Sequence, residues 1–337
     1  MTDAPRPIAD AVRQRLARRH RAEGRFQAFG AGAILLAIAF LGVLIGSIIV
    51  QSTGAFTSYT LTVPVTIERE IADPRGDLSE ASLRRGSYNQ LLQRALQAEI
   101  PAADTRAELR DLFSLYSGLN AASIMRRVVA DPSLIGQEIA VSMPVNHEID
   151  LYLKGVTVRE DRLPGEGTLS VDGATGEVTL SAATPAFARF VARIRAQAEQ
   201  ERASALEIAR RAEAQAEAAP SRDEREAALA AARRALGDAE RFESIIDPET
   251  SILLGPRTAS LLVRINDGVV SVSAVSPDGL TAQGRVLLPL ASDTPSADWT
   301  EWVIETPSAS RRVNDQQAVY ARTLEERGLV EQRFNTR

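Results

Sequence analysis

His147-Glu148-x-Asp150 is the one cluster beyond the first 51 residues that joins a histidine to acids. A metal ion or a proton-transfer pair needs such groups to converge on one point. Ile149 to Leu153 reads as a strand, and on an alternating backbone His147 and Glu148 point to opposite faces. The cluster is therefore expected to be a polar turn between two strands and a poor metal site. His20 and His147 are the only histidines, so a Ser-His-Asp arrangement in the body would rest on His147 alone. The chain has no cysteine, which excludes disulfides and thiolate chemistry. Lys154 is the single lysine, and no GxxxxGK[ST] phosphate loop occurs. Acids are plentiful, and nothing singles out a glycosidase-like pair among them. The expectation is a protein that is not an enzyme, with no catalytic, cofactor-binding or metal residue and no cofactor.

The dominant element is a membrane span. Phe29 to Val50 reads FGAGAILLAIAFLGVLIGSIIV and carries no charge. As a helix it would reach about 33 Å, against a hydrocarbon core of roughly 30 Å. The expected span is 26–51. It is too long for the apolar stretch of a cleaved signal peptide, which is about 7–15 residues. Residues 1–25 hold seven arginines against Asp3, Asp10 and Glu23, a net +4, and form a basic cytoplasmic segment. The positive-inside rule then places everything after the span outside the cytoplasm, in the bacterial periplasm. The chain as a whole is at −5, so the body is acidic, which argues against nucleic acid or anionic lipid as its partner. Gly42 and Gly46 form a GxxxG, with Ala28 and Gly32 at the same spacing, and such small residues let a second membrane helix approach.

The body is expected to be α+β: short helices, antiparallel β segments and a long helical hairpin. Region 52–183 opens on a strand from Tyr59 to Ile67, where Pro64 suggests a sheet edge. Capping boxes at Ser87-x-x-Gln90 and Thr105-x-x-Glu108 open two helices, and Asn120 caps a third, from Ala121 to Ala130. Ile139 to Val145, Thr168 to Val171 and Val178 to Leu180 read as strands. Gly155, Gly165 and Gly167 punctuate them, and Asp172-Gly173 and Thr175-Gly176 offer hairpin turns.

Region 184–247 changes character, being rich in Ala, Arg and Glu. Its periodicity predicts two antiparallel arms of about 50 Å and about 36 Å, broken at Ala219-Pro220-Ser221. The stripe holds Leu206, Leu229 and Leu236 among many alanines, and is expected to be a solvated coiled-coil arm. Region 248–337 returns to strands. Asn266-Asp267-Gly268 marks a tight hairpin, and Ser276-Pro277-Asp278-Gly279 a turn. Trp299 to Ile304 is a further strand. Asn314-x-x-Gln317 opens a closing helix that Gly328 stops, and Val330 to Phe334 leaves it heading elsewhere.

Glu108 to Gly155, ELRDLFSLYSGLNAASIMRRVVADPSLIGQEIAVSMPVNHEIDLYLKG, resembles the extra N-terminal region of PstA-type permease subunits of phosphate ABC transporters. The match rests on the order of Glu108, Leu109, Ser117, Arg127, Val128, Pro132, Leu134, Ile135, Gly136, Asp150, Lys154 and Gly155. Leu324-Glu325-x-x-Gly328-Leu329 up to Phe334-Asn335 is similar to that family's link into its permease domain. The resemblance implies the anchored, extracytoplasmic, non-catalytic part of a phosphate importer's permease. It also implies three partners in the inner membrane system: a second permease subunit, an ATPase subunit and a periplasmic phosphate-binding protein. It supplies no phosphate-binding residue, and the roles of Pro132, Gly136, Asp150, Lys154, Gly155, Phe334 and Asn335 are open. The multi-span permease part is expected beyond Arg337. The alternative is a periplasmic adaptor of an efflux or secretion complex, which requires the β segments on either side of the hairpin to pair with each other. A membrane-anchored enzyme is the third reading, and it requires a clustered, buried acid or His147 in a cleft.

Overall fold

The computed structural model describes residues 29–48, 56–117, 121–172, 176–291 and 296–334. The basic segment 1–25, Asn120, Gly173, Thr175 and Asn335 lie outside them. The chain divides into two units: residues up to Ser58 together with those from Arg333, and a body from Tyr59 to Gln332. The first unit contains helix α1 (Phe29–Ile48), 20 residues of mean hydropathy 2.5, long and apolar enough to cross a membrane. A Cβ on Gly42 or Gly46 would meet nothing within 4 Å, so this face of α1 is open to a second helix. Gly42→Ile is expected to weaken assembly with other membrane helices, measured by crosslinking and co-purification. Unchanged yields would remove the packing role.

In the body, β1 (Thr57–Thr66) pairs antiparallel with β2 (Glu138–Pro144), and β10 (Val330–Phe334) lies on its other side. Alternation decides the buried face: Leu61, Val63 and Val65 are fully enclosed opposite Ile139, Val141 and Met143. They pack on α4 (Tyr88–Glu99), α5 (Arg106–Phe113), α6 (Ala121–Ala130) and α11 (Asp315–Glu326) through Leu91, Leu92, Leu112, Ile124, Val128 and Leu324. Two four-residue helices, α2 (Arg69–Ala72) and α3 (Glu80–Leu83), fill the β1–α4 connection. The capping boxes at Thr105 and Asn314 both form. The one at Ser87 does not: its backbone leaves the extended region, and its carbonyl, not its hydroxyl, receives Gln90 N–H at 2.9 Å. The edge position expected from Pro64 is also corrected, because β1 is the central strand. Thr62 donates to the Leu329 carbonyl at 2.8 Å, and residues from Arg333 group with those up to Ser58. The two strands therefore run in opposite directions, and Pro64 lies past the start of β10, where no donor is required.

The remaining strands form a closed barrel. β3 (Glu160–Val171) and β4 (Glu177–Ala182) precede the helical hairpin, while β6 (Ser260–Ile265), β7 (Gly268–Val275), β8 (Thr281–Leu288) and β9 (Ser296–Ile304) follow it. The order β3-β4-β8-β7-β6-β9 returns to β3 through antiparallel pairs throughout, with the two-residue β5 (Ile252–Leu253) added on β7. Regions 52–183 and 248–337 thus build one structure. Asn266 (φ 48°) and Asp267 (φ 57°) make the two-residue β6–β7 turn, whose positive φ at both positions matches the strand twist. Gly165 and Gly167 sit inside β3 and do not punctuate it. A Cβ on Gly165 would fall 2.1 Å from Trp299 Nε1, so the absent side chain is the space the indole fills.

Between β4 and β5 the chain makes the hairpin: α8 (Ala188–Ala218), α9 (Arg222–Glu240) and a final turn, α10 (Glu243–Ile246). The 31 and 19 residues of the two arms correspond to about 46 Å and about 28 Å. Ala205, Ala209, Ala212, Ala232 and Ala235 form the buried seam. Leu229 and Leu236, expected on that seam, are each 38% exposed, because two helices in contact through alanine leave no room for larger side chains between them.

Candidate functional site

Two groups of buried polar side chains stand out, and the sequence pointed at half of one. The first begins at His147–Leu153, which is a helix, α7, and not the expected strand. Asn146 caps it, its side chain accepting Glu148 N–H at 3.1 Å. The helix changes the chemistry of the cluster. Asp150 and Lys154, four residues apart, now share a face and pair at 2.6 Å, with side chains only 13% and 10% exposed. Asp150 also accepts the Tyr59 N–H at 2.7 Å, which pins the first turns of β1 to α7. Gly155 follows with φ +67° and ends the helix in the left-handed conformation that glycine adopts freely. No group of three or more metal-ligating side chains occurs among the described residues.

Beside this pair lies a second one that joins residues 162 positions apart in the sequence. Arg322 of α11 donates to Glu160 of β3 at 3.1 Å and to Glu325 at 2.8 Å, and its guanidinium stands 5.3 Å from the centre of the Tyr152 ring. The Arg322 side chain is 15% exposed and that of Glu160 12%. Burial alone would favour loss of the Arg322 proton, but Glu325 and Glu160 more than offset it and hold the guanidinium charged. Burial, followed by the Glu160 charge, pushes the Tyr152 phenol well above its ordinary range. The Tyr59 phenol is raised by burial and by Glu325. Arg322, Glu160 and Thr306, with the loop Gly155–Arg159, line an open cleft of about 530 Å³. These groups form a joint that ties β1, α7, β3 and α11 together.

The second group is inside the barrel, and the sequence reading missed it. Glu301 of β9 is 1% exposed, and neither carboxylate oxygen has a hydrogen-bond partner. Burial raises its pKa to about 7. The nearby Trp299 indole N–H, though outside hydrogen-bond geometry, and the charge of Arg189 hold the rise back. Trp299 stacks on Phe187, with ring centres 5.8 Å apart and 4° between planes, and Phe187 is fully buried. An available signal was the run Trp299 to Ile304, where an acid interrupts a segment apolar on both faces.

The other residues that carried the family resemblance serve the fold elsewhere in the body. Pro132 opens a single 3-10 turn, Pro132–Leu134, and Gly136 (φ +84°) donates its N–H to Ile67 at 2.8 Å. Glu108 completes the Thr105 capping box, and Val128 is buried. Arg127 donates to the Ala140 carbonyl at 3.3 Å. Phe334 is 75% exposed at the end of β10.

In class, the body is a mixed sheet-and-helix layer joined to a closed antiparallel barrel that carries a helical hairpin. Residues 13–162 match a family model described as a domain of unknown function (DUF3333). The match includes α1, the β1–β2 pair, and Asp150, Tyr152, Lys154 and Glu160 of the joint, and it stops short of α11, the hairpin and most of the barrel. No curated protein matches the chain.

Proposed function

We propose that this chain is the anchored, periplasmic part of the permease subunit of an ABC importer for inorganic phosphate, held by α1 in the bacterial inner membrane with its N-terminus in the cytoplasm. The part is non-catalytic. Its partners are the second permease subunit, the ATPase subunit and the phosphate-binding protein, and the body assists the docking of that binding protein. One observation carries the reading: the body begins and ends at neighbouring strands. β10, which ends at Phe334, lies beside β1, which begins at Thr57. Such an arrangement suits a domain inserted on the outer side of a membrane protein. The order of residues from Glu108 to Gly155, which resembles that of phosphate-importer permeases, supports the choice of phosphate.

The test is phosphate uptake at limiting phosphate in cells whose only copy lacks residues 70–310. Uptake should fall severalfold while the truncated subunit still inserts in the membrane. Unaltered uptake would refute the docking role.

A second reading, the periplasmic adaptor, is favoured by one specific finding. Strands from before and after the hairpin do pair with each other, β4 with β8 and β3 with β9, as parts of one barrel. Affinity purification separates the two: an ATPase subunit and a phosphate-binding protein favour the importer, and an efflux or secretion channel favours the adaptor.

A further inference from the structure

The hairpin is seated on the barrel at its root. Phe187, the residue before α8, inserts against Trp299 and donates its N–H to the Gly279 carbonyl at 3.1 Å. A Cβ on Gly279 would meet the backbone of Ala188 at 2.6 Å, so the β7–β8 turn and the start of α8 are in direct contact. On the flank, Arg193 of α8 pairs with Asp161 at 2.8 Å and Glu305 at 3.2 Å. In the barrel, two residues from Trp299 on the same face of β9, is the unpartnered Glu301.

The surroundings of Glu301 leave its charge uncompensated at hydrogen-bond range. Opposite it are Leu163 on β3 and Val263 on β6. The charged neighbours on those strands are engaged elsewhere: Asp161 with Arg193, Arg162 over the Trp302 ring and near Glu326, and Arg264 with Glu326. On its own strand Asp298 is exposed, and just past the strand's end Glu305 binds Arg193. From β4, β7 and β8 come Val178, Leu180, Val270, Val272 and Ala282, while Glu177 and Arg285 line an outer groove. The cation whose field reaches Glu301 is Arg189, in the first turn of α8 and itself exposed.

We propose that the hairpin root is latched to the barrel in a proton-dependent manner, with Glu301 as the titrating group. Protonated, Glu301 is a neutral part of a dry barrel beneath the Phe187–Trp299 stack. Ionised, it draws water into the barrel and favours a looser seat, in which Phe187 lifts and Arg189 approaches the carboxylate. The sign follows from linkage. The folded carboxyl keeps its proton up to about pH 7, against an ordinary value of 4.5, so the seated form loses stability as pH rises through that window. The latch stands independently of the transport reading.

The chain's two tryptophans flank Glu301, at 299 and 302, so W302F leaves Trp299 as the single indole reporter at the seat. The full chain is held in detergent micelles and quenched with acrylamide from pH 5 to pH 8.5. Quenching of Trp299 should rise at least twofold with a midpoint near pH 7, and the rise should vanish in W302F/E301Q. A flat profile in W302F, or an equal rise in W302F/E301Q, overturns the proposal. If E301Q does not fold, hydrogen exchange of residues 186–195 in the unmodified chain decides the matter. After correction for intrinsic rates, faster exchange at pH 8 than at pH 6 supports the latch, and equal exchange overturns it.

Discussion

Arg322→Ala is expected to destabilise the body by about 3–5 kcal/mol, the usual cost of removing one partner from a buried ion pair. Glu160 and Glu325 would be left close together without the guanidinium that now bonds both, and Tyr152 would lose the cation over its ring. Most of the loss is the desolvation of carboxylates left unpaired. Denaturant unfolding of the solubilised chain measures it. Arg322→Met combined with Glu160→Gln should recover part of the stability, since replacing a pair is milder than breaking it. A single-variant loss below about 1 kcal/mol would mean the joint behaves as a surface pair.

Phe187→Ala is expected to cost about 3–5 kcal/mol, typical of a fully buried aromatic replaced by alanine. Its consequence should be regional. Phe187 belongs with Trp299, Val263 and Leu180 in one apolar cluster, whereas the β1–β2 sheet and its helices form another. Hydrogen exchange should accelerate in residues 186–200 and on β9, while α4 to α6 keep their protection. Uniform acceleration would show that the two clusters unfold as one cooperative unit.

Local chemistry made much of this chain readable. Thr105 and Asn314 cap their helices through side chains three residues from their partners, and Asn266-Asp267-Gly268 folds as the twist of two strands requires. The alanine seam and its break at Pro220 follow from composition and period alone. The misreadings have a shared physical origin in distant contacts. The segment of α7 alternates well enough for a strand, with Ile149, Leu151 and Leu153. It is a helix because Asn146 caps it and because Asp150 then reaches both Lys154 and the backbone of Tyr59, 91 residues away. Gly165 and Gly167 resemble loop residues until Trp299 of β9 fills the space beside the first and the Ser181 carbonyl of β4 closes on the second. Arg322 and Glu160, 162 residues apart, carry no mutual signal in sequence. Glu301 had no motif at all, since its significance comes from a closure that brings strands on both sides of the hairpin into one wall.

The two sheets also differ in how they come apart. β10 is held along one side alone, by β1, whereas each strand of the barrel is paired on both sides. The edge strand therefore frays first, and the barrel, with no free edge to start from, opens only as a whole.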